Sequence, residues 1–567
     1  MDNMRVRIEE AHKITVFEAF QRSEKENIFF SGERYVMGYH FGHHFIGDFL
    51  TEEKIRETSC EKPVMIIAQT GSGKSTLVME KILRLMKETG KRLLILASRT
   101  ALANQYKQEI AKREMPHLLE ELTPVGLNRR TEFGRVEVWT YQHAYYELVK
   151  EGQDFREFGA VVFDECHYFV QDASFDVFTH EILCLAVKNL RHCRRFYLTA
   201  TPDMVADKII EEEWKNWENM FRIPLNLFAL PVRSHQFLLY EFEADYSYIN
   251  PIFFRETEEI IDIIRASKEK FFICVDSKEV GEMVQNKLGT EVAEYIDAEL
   301  KNGEKAEIVR NIISSEKFEK RVLIVTSFLD VGVNLQGEDL HNVVIFSASR
   351  THFVQAIGRK RRKKDENVNL YIKILSSKRL KKLQGRIMAE LKEIGMRINQ
   401  EYDRRFSITQ IQFPFFIEKR NGEIQMKYNG FTLSNLKFRY GELERMLDSS
   451  TRYESEEEGV AREYLRWIGI EERYPKCRWL GAKPDYRYKK LTDFLEKNCE
   501  IELDKEGFQK FRKDLLDLHN EVCVSNEKWR DDRLPHVEKI NSFLDKCGME
   551  YQMLSSQNPL SYKLERR

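Results

Sequence analysis

Two α/β domains in tandem, each built on a parallel sheet, with a mainly helical region behind them, are the architecture this sequence predicts. From Pro63 to about Ile374, short apolar runs alternate with amphipathic helical stretches. The runs are apolar throughout rather than at every second position, which marks strands buried on both faces. Helices between such strands make parallel sheets. Past Ser376 the pattern changes to long charged stretches at helical spacing, such as "KRLKKLQGRIMAELKEIGMRI" (378–398).

In chain order the strand candidates are "VMIIA" (64–68), "LLILA" (93–97), "VEVWT" (136–140), "AVVF" (160–163) and "RFYL" (195–198). Then come "FFICV" (271–275), "VLIVT" (322–326), "VVIF" (343–346) and "LYIKI" (370–374). These are too many for one small sheet, and "LPVRSHQ" (230–236) supplies a seam between two. The expected division is a lead-in over 1–60, a first sheet domain over 61–235, a second over 236–375 and a helical accessory domain over 376–567. Within the last, "SITQIQFPFFIEKRNGEIQMKY" (407–428) reads as a β hairpin, because Asn421-Gly422 suits its turn. No repeat or low-complexity segment interrupts the chain.

A chain of 567 residues is too long for one core. Ninety Lys and Arg nearly balance 92 Asp and Glu, so net charge names no partner and a nucleic-acid surface would have to be a local basic patch. The nine cysteines are scattered and form no C-x-x-C pair, which argues against a disulfide scaffold or zinc ribbon and fits a reducing compartment. No signal-like apolar run opens the chain, and no stretch approaches the ~18 apolar residues of a membrane span. The expectation is a soluble, cytoplasmic protein without a membrane partner.

One stretch carries chemistry at once: "IIAQTGSGKSTLVMEKIL" (66–83). A strand, a glycine-rich turn and a helix are the context a phosphate loop requires. The loop residues Ala68, Gln69, Thr70, Gly71, Ser72 and Gly73 expose backbone N–H groups at a helix N-terminus, where an anion is favoured. Lys74 would reach the β- and γ-phosphates, the Ser75 hydroxyl would ligate Mg²⁺, and Thr76 completes the run. Ala68 stands where the strict G-x-x-x-x-G-K-[ST] pattern has glycine. A second buried strand ends in "DECH" (164–167). Asp164 is placed to hold Mg²⁺ through water, and Glu165 to orient or deprotonate an attacking water. Cys166 and His167 alone do not make a zinc site; His167 reads better as a relay from the nucleotide to the facing domain.

At this point the residues resemble a family, the superfamily 2 helicases and translocases of the DEAD/DEAH-box kind, in a DExH form. "ILASRTALANQ" (95–105) resembles motif Ia, "VWTYQ" (138–142) lies where the next motif falls, and "YLTATP" (197–202) matches motif III. "FFICVDSKEVGE" (271–282), "VTSFLDVGVNLQG" (325–337) and "QAIGRKRRK" (355–363) resemble motifs IV, V and VI. The resemblance covers residues 64–363 and implies two RecA-like domains that use ATP and Mg²⁺. It implies that Thr199 and Thr201 couple the site to domain closure, that Gly332 and Asn334 face the nucleotide, and that Gln355 helps place the water. Arg359 and Arg362 would reach across the cleft to the γ-phosphate. Arg99, Thr100, Thr140, Ser277 and Thr326 would line the path of a DNA or RNA strand, with contacts mostly to phosphate and sugar.

The chain departs from the family where Arg361 stands in place of a glycine in motif VI, and where the lead-in lacks the adenine-reading glutamine of DEAD-box enzymes. His40, His43 and His44 read as surface or packing histidines rather than ligands. "RYPKCRWLGAKPDYRYKK" (473–490) interleaves basic and aromatic residues, as either a stacking surface or a packed turn. Three activities remain open: a helicase that unwinds DNA or RNA, a translocase or remodeller that does not separate strands, and a nucleic-acid-gated ATPase switch with a protein partner docked on its C-terminal domain.

Overall fold

The computed structural model of the chain describes residues 36–41, 45–150, 152–221, 237–297, 305–326, 335, 337, 339–360, 366–401, 413–420, 423–481, 491, 494–522, 534–546, 551–557 and 560–566. Each apolar run is a strand. In the first lobe these are β2 (Val64–Ile67), β3 (Arg92–Ala97), β5 (Val136–Thr140), β6 (Phe158–Asp164) and β7 (Arg194–Thr199). Three further strands join them: β1 (Val36–Phe41), β4 (Glu132–Phe133) and β8 (Phe237–Phe242). The eight run in the order β1-β8-β2-β7-β6-β3-β5-β4, all parallel except the β4–β5 pair.

β1 lies in the expected lead-in and β8 beyond the expected seam, yet both belong to the first sheet. β8 inserts between β1 and β2, in register through Val36↔Phe237 and Val64↔Leu238. Its sequence, "FLLYEF", buries five of six residues, so it is as apolar as the other central strands. The chain therefore leaves the first lobe after Phe242 rather than at 235. The residues of the seam itself, 230–236, lie outside those described.

The second sheet contains β9 (Ile249–Phe254), β10 (Lys270–Val275), β11 (Ala293–Ile296), β12 (Val322–Thr326), β13 (Leu340–Phe346) and β14 (Val368–Lys373). These run parallel in the order β11-β12-β10-β13-β14-β9. In the first sheet, alternate residues feed two separate cores. Met65, Leu94, Val161 and Phe163 pack on one face, and Ile66, Leu93, Ile95 and Val162 on the other. That double burial is why the strands read as unbroken apolar runs.

Among the helices, α1 (Lys74–Leu77), α2 (Thr100–Glu114), α3 (Tyr168–Gln171), α4 (Thr179–Asn189) and α5 (Ala206–Phe221) belong to the first lobe, and α6 (Arg350–Arg359) to the second. The accessory region opens with α7 (Ser377–Glu401), the expected hairpin β15 (Phe415–Arg420) and β16 (Glu423–Tyr428), then α8 (Phe431–Arg452) and α9 (Glu456–Trp467).

At its N-terminal end α8 grips the first lobe. Asn429 Nδ2, just before it, donates to Asp176 O (2.8 Å) and Thr179 Oγ1 (2.9 Å). Thr432 Oγ1 donates to Ala173 O (2.7 Å), and Asn435 Nδ2 to the carbonyls of Val170 (2.7 Å) and Gln171 (2.6 Å). Two turns on, buried Glu442 accepts from the backbone N–H of Arg350, the first residue of α6, at 3.1 Å. α9 adds Tyr464, which donates to Ser347 O (2.8 Å) and packs on Phe353 of α6. One helix thus ties the segment after "DECH" to the helix that carries motif VI.

Through β17 (Arg478–Trp479) the chain enters a second compact unit, from Trp479 to the end. The tail expected as mostly helical is mixed here. α10 (Lys505–Val522) and α11 (Val537–Lys546) share a core with a three-stranded antiparallel sheet in the order β18 (Glu502–Leu503), β20 (Leu560–Arg566), β19 (Tyr551–Gln557). No described helix is long and apolar enough to cross a membrane.

Candidate active site

The phosphate-loop residues leave the carboxyl end of β2, where ligands of parallel sheets gather. Gly71 (φ 89°) and Gly73 (φ 95°) adopt left-handed backbone, which glycine reaches without a Cβ penalty. The Ala68 N–H donates to Thr199 O (2.9 Å) and Ser72 Oγ to Gln69 O (2.7 Å), so the loop is fixed from within and from β7. The buried ammonium of Lys74 turns onto the loop's own carbonyls, Ala68 O at 2.8 Å and Gln69 O at 3.1 Å. Ser75 and Thr76 open α1 and are exposed. Phe45, 67 % exposed, lies 3.9 Å from where a Cβ on Gly73 would stand.

Asp164 ends β6 with its carboxylate buried. Tyr106 of α2 donates to Oδ2 (2.8 Å) and the Glu165 N–H to Oδ1 (3.0 Å). Burial and the neighbouring Glu165 charge push Asp164 up to about 6, against the pull of Lys74. The Tyr106 hydroxyl on Asp164 also lies near Ser75. A buried carboxylate short of positive charge beside a serine hydroxyl fits a hard cation with oxygen ligands.

Glu165 has φ 51°, a left-handed conformation that costs a non-glycine residue on the order of 1–3 kcal/mol. Its Oε2 lies 3.3 Å from His167 Nδ1, which also faces Thr199 Oγ1 at 3.2 Å. On the other edge of the ring, Gln355 Nε2 of α6 stands 2.7 Å from His167 Nε2. With Nε2 accepting from the amide, the imidazole proton sits on Nδ1. Burial brings His167 down to about 4, with Arg99, Lys74 and Arg359 adding to the effect and Glu165 opposing it. The ring is neutral at pH 7 and bonds to both lobes. The Thr199 hydroxyl accepts from the Thr201 N–H (3.0 Å), which joins both threonines to this chain.

The second lobe closes on the first at the same place. A Cβ on Gly358 would stand 2.7 Å from Thr70 Oγ1, so only glycine lets α6 lie this close to the phosphate loop. Arg359 lines a cleft with Arg99, Glu165, His167, Asp172 and Gln355. Gln355 Oε1 is buried there with no hydrogen-bond partner among the described residues. Gly332, Asn334 and Arg362 lie outside the described residues.

The five residues expected on a polynucleotide path follow the carboxyl ends of strands in both sheets. Thr140 and Ser277 cap helices, accepting from His143 N (3.2 Å) and Val280 N (3.4 Å). Thr100 is exposed at the start of α2 and Thr326 is half-buried at the end of β12. Arg99 is turned into the cleft, where it pairs with buried Asp172 and lies over the Tyr168 ring. From the basic-aromatic stretch, Arg473 donates to the carbonyls of Tyr246, Ser247 and Ile249, and Tyr474 lies under Arg462. Its first residues end a 3-10 helix, Glu471–Lys476, that buries no residue fully, and lead into β17; 482–490 lie outside the described residues. Sequence reasoning missed Tyr106, Asp172 and the whole α8 contact set, none of which sits in a motif-like spacing.

Two family models match the chain: "Type III restriction enzyme, res subunit" over residues 44–204 and "Helicase conserved C-terminal domain" over 255–364. No curated protein matches it. Solved structures similar to it include Saccharomyces cerevisiae Dbp5 bound to RNA and ADP BeF3, at 14% identity and TM-score 0.40, covering 55% of this chain and 79% of that one. Mss116p bound to ssRNA and AMP-PNP is 14% identical with TM-score 0.41, over 77% and 90%. Mycobacterium smegmatis Lhr bound to ssDNA and AMP-PNP is 15% identical with TM-score 0.39, over 56% and 44%.

Proposed function

We propose that the superfamily 2 helicase core carried by residues 44–364 hydrolyses ATP across its two lobes and uses the cycle to move along and unwind DNA or RNA. One observation carries this reading: Gln355 and Arg359 of the second lobe enter the same cleft as Glu165 and His167 of the first. A γ-phosphate held by Lys74 would then be met by an arginine from the opposite lobe, an arrangement worth ~10³–10⁵ in rate. Hydrolysis would require closure, and loss of the γ-phosphate would release it.

Lys74 would leave its loop carbonyls for the β- and γ-phosphates. Glu165 would orient the water and take its proton, and the free acceptor of Gln355 would fix that water from the far side. Mg²⁺ bound by Ser75 and, through water, by Asp164 would neutralise charge developing on the phosphates. A nucleic acid held by both lobes would shift with each opening and closing.

The test is ATP turnover with a panel of single- and double-stranded DNA and RNA over a salt series, alongside strand displacement. Stimulated turnover with displacement supports the helicase reading. Stimulation without displacement makes the chain a translocase or remodeller, and tight binding with negligible turnover makes it a switch whose C-terminal region docks a partner.

A further inference from the structure

We infer that His180, Cys184 and Glu212 form a site for a zinc-class divalent metal between α4 and α5, separate from the nucleotide cleft. His180 and Cys184 are four residues apart on α4 and so share a face; Glu212 approaches them from α5. His180 Nε2 lies 3.4 Å from Glu212 Oε1, and Cys184 Sγ lies 3.3 Å from Oε2. All three ligand atoms fall within 4.8 Å of one another. Metal bonds of ~2.0–2.3 Å at tetrahedral angles set ligand atoms roughly 3.3–3.7 Å apart. The imidazole and the thiol each stand at that spacing from one oxygen of the Glu212 carboxylate, so a small turn of the carboxylate would complete the set. One nitrogen, one thiol sulfur and one carboxylate select a borderline-soft ion; magnesium and calcium prefer all-oxygen sites. A fourth position would fall to water.

The cluster also has a simpler reading, in which the thiol and the imidazole merely hydrogen-bond the carboxylate. Lys215 separates the two. Its Nζ is 2.8 Å from Glu212 Oε1, the oxygen that faces His180, and 2.9 Å from Glu211 Oε1. The ammonium therefore competes with a metal for one oxygen while it has a second carboxylate to fall back on. Binding would form a sulfur–metal bond, send the thiol proton to solvent and weaken as pH falls. No electron transfer is involved. The place gives the ion a purpose: the His180 ring packs on Phe431, the first residue of α8, with centroids 4.2 Å apart, and Lys427 pairs with neighbouring Glu181 at 3.0 Å. A metal here would fix the seat of α8 on the first lobe.

Full-length protein stripped with a chelator should be titrated with Co(II) and with Zn(II). The expected result is a thiolate-to-cobalt charge-transfer band that saturates at one equivalent and is absent in Cys184→Ser, together with a Zn(II)-dependent rise in melting temperature that His180→Ala loses. Lys215→Ala should bind the metal several-fold more tightly, the opposite sign to the ligand variants. A wild-type chain that shows no band, a band that survives in Cys184→Ser, or weaker binding in Lys215→Ala would overturn the assignment.

Discussion

At the nucleotide cleft the lobes meet through Gln355 on His167 and Gly358 against Thr70, whereas along α8 they are tied by Asn429, Thr432, Asn435 and Glu442. The cleft side is built from groups that a triphosphate would rearrange: an ammonium folded onto its own loop, a glutamate in left-handed backbone, a neutral imidazole between two lobes. The α8 side is built largely from neutral amides and a hydroxyl on buried or part-buried backbone carbonyls. The difference teaches where motion can occur. Opening the cleft would break the Gln355–His167 contact and the Arg350–Asp203 ion pair, while releasing α8 from the first lobe would take side-chain donors from backbone carbonyls, at about 1–3 kcal/mol for each one left without a partner. In the proposed cycle, closure would pivot with α8 still seated on the segment after "DECH", and the contact of α8 expected to change is the one at Glu442.

Breaking the cleft alone should have the largest effect. Glu165→Gln is expected to lower ATP turnover by ~10²–10⁴ with the melting temperature nearly unchanged, measured by steady-state hydrolysis and thermal unfolding. Near-normal turnover would remove Glu165 as the base.

Changing the joint at Glu442 comes next. Burial pushes this carboxyl up to about 7, so between the ordinary carboxylate range and pH 7 the folded chain holds a proton the unfolded chain has lost. Stability from this group therefore falls as pH rises through that window. Glu442→Gln keeps an acceptor for the Arg350 N–H and removes the titration. It should be more stable than wild type at pH 8, by on the order of 2–3 kcal/mol, and equal to it near pH 4. Parallel pH–melting curves for the two proteins would contradict this.

Loosening the fixed end should have a smaller effect on stability and little on chemistry. Asn435→Ala removes a side-chain donor from Gln171 O and from Val170 O, which keeps the Asp172 N–H, and is expected to cost about 1–3 kcal/mol, while turnover at saturating ATP changes less than tenfold. A turnover defect as large as that of Glu165→Gln would place α8 inside the chemistry instead of beside it.

The contrast also separates what the sequence discloses from what it hides. The phosphate loop, "DECH" and the Gln355–Arg359 segment are legible because each is a contiguous run in which residue type and spacing are themselves the requirement. The buried strands are legible for the same reason, being apolar on both faces. The α8 ties are not legible, since Asn435 and Val170 stand 265 positions apart and an asparagine in a charged helix has no signature of its target. Tyr106 is hidden likewise, as an aromatic on an apolar helix face that reads as core. Arg99 reads in the sequence as a polynucleotide contact, and its pairing with Asp172 inside the cleft is not legible, because it depends on the turn after α3. The seam misled because β8 returns to the first sheet across a segment whose composition resembles a linker.

In the proposed mechanism an arginine from the second lobe completes a triphosphate site held by the first. The most direct test is ATP binding and polynucleotide-stimulated hydrolysis by Arg359→Ala, measured side by side. The predicted result is nucleotide affinity within a few-fold of wild type and turnover reduced by ~10³ or more. An Arg359→Ala protein that hydrolyses ATP at the wild-type rate would contradict it.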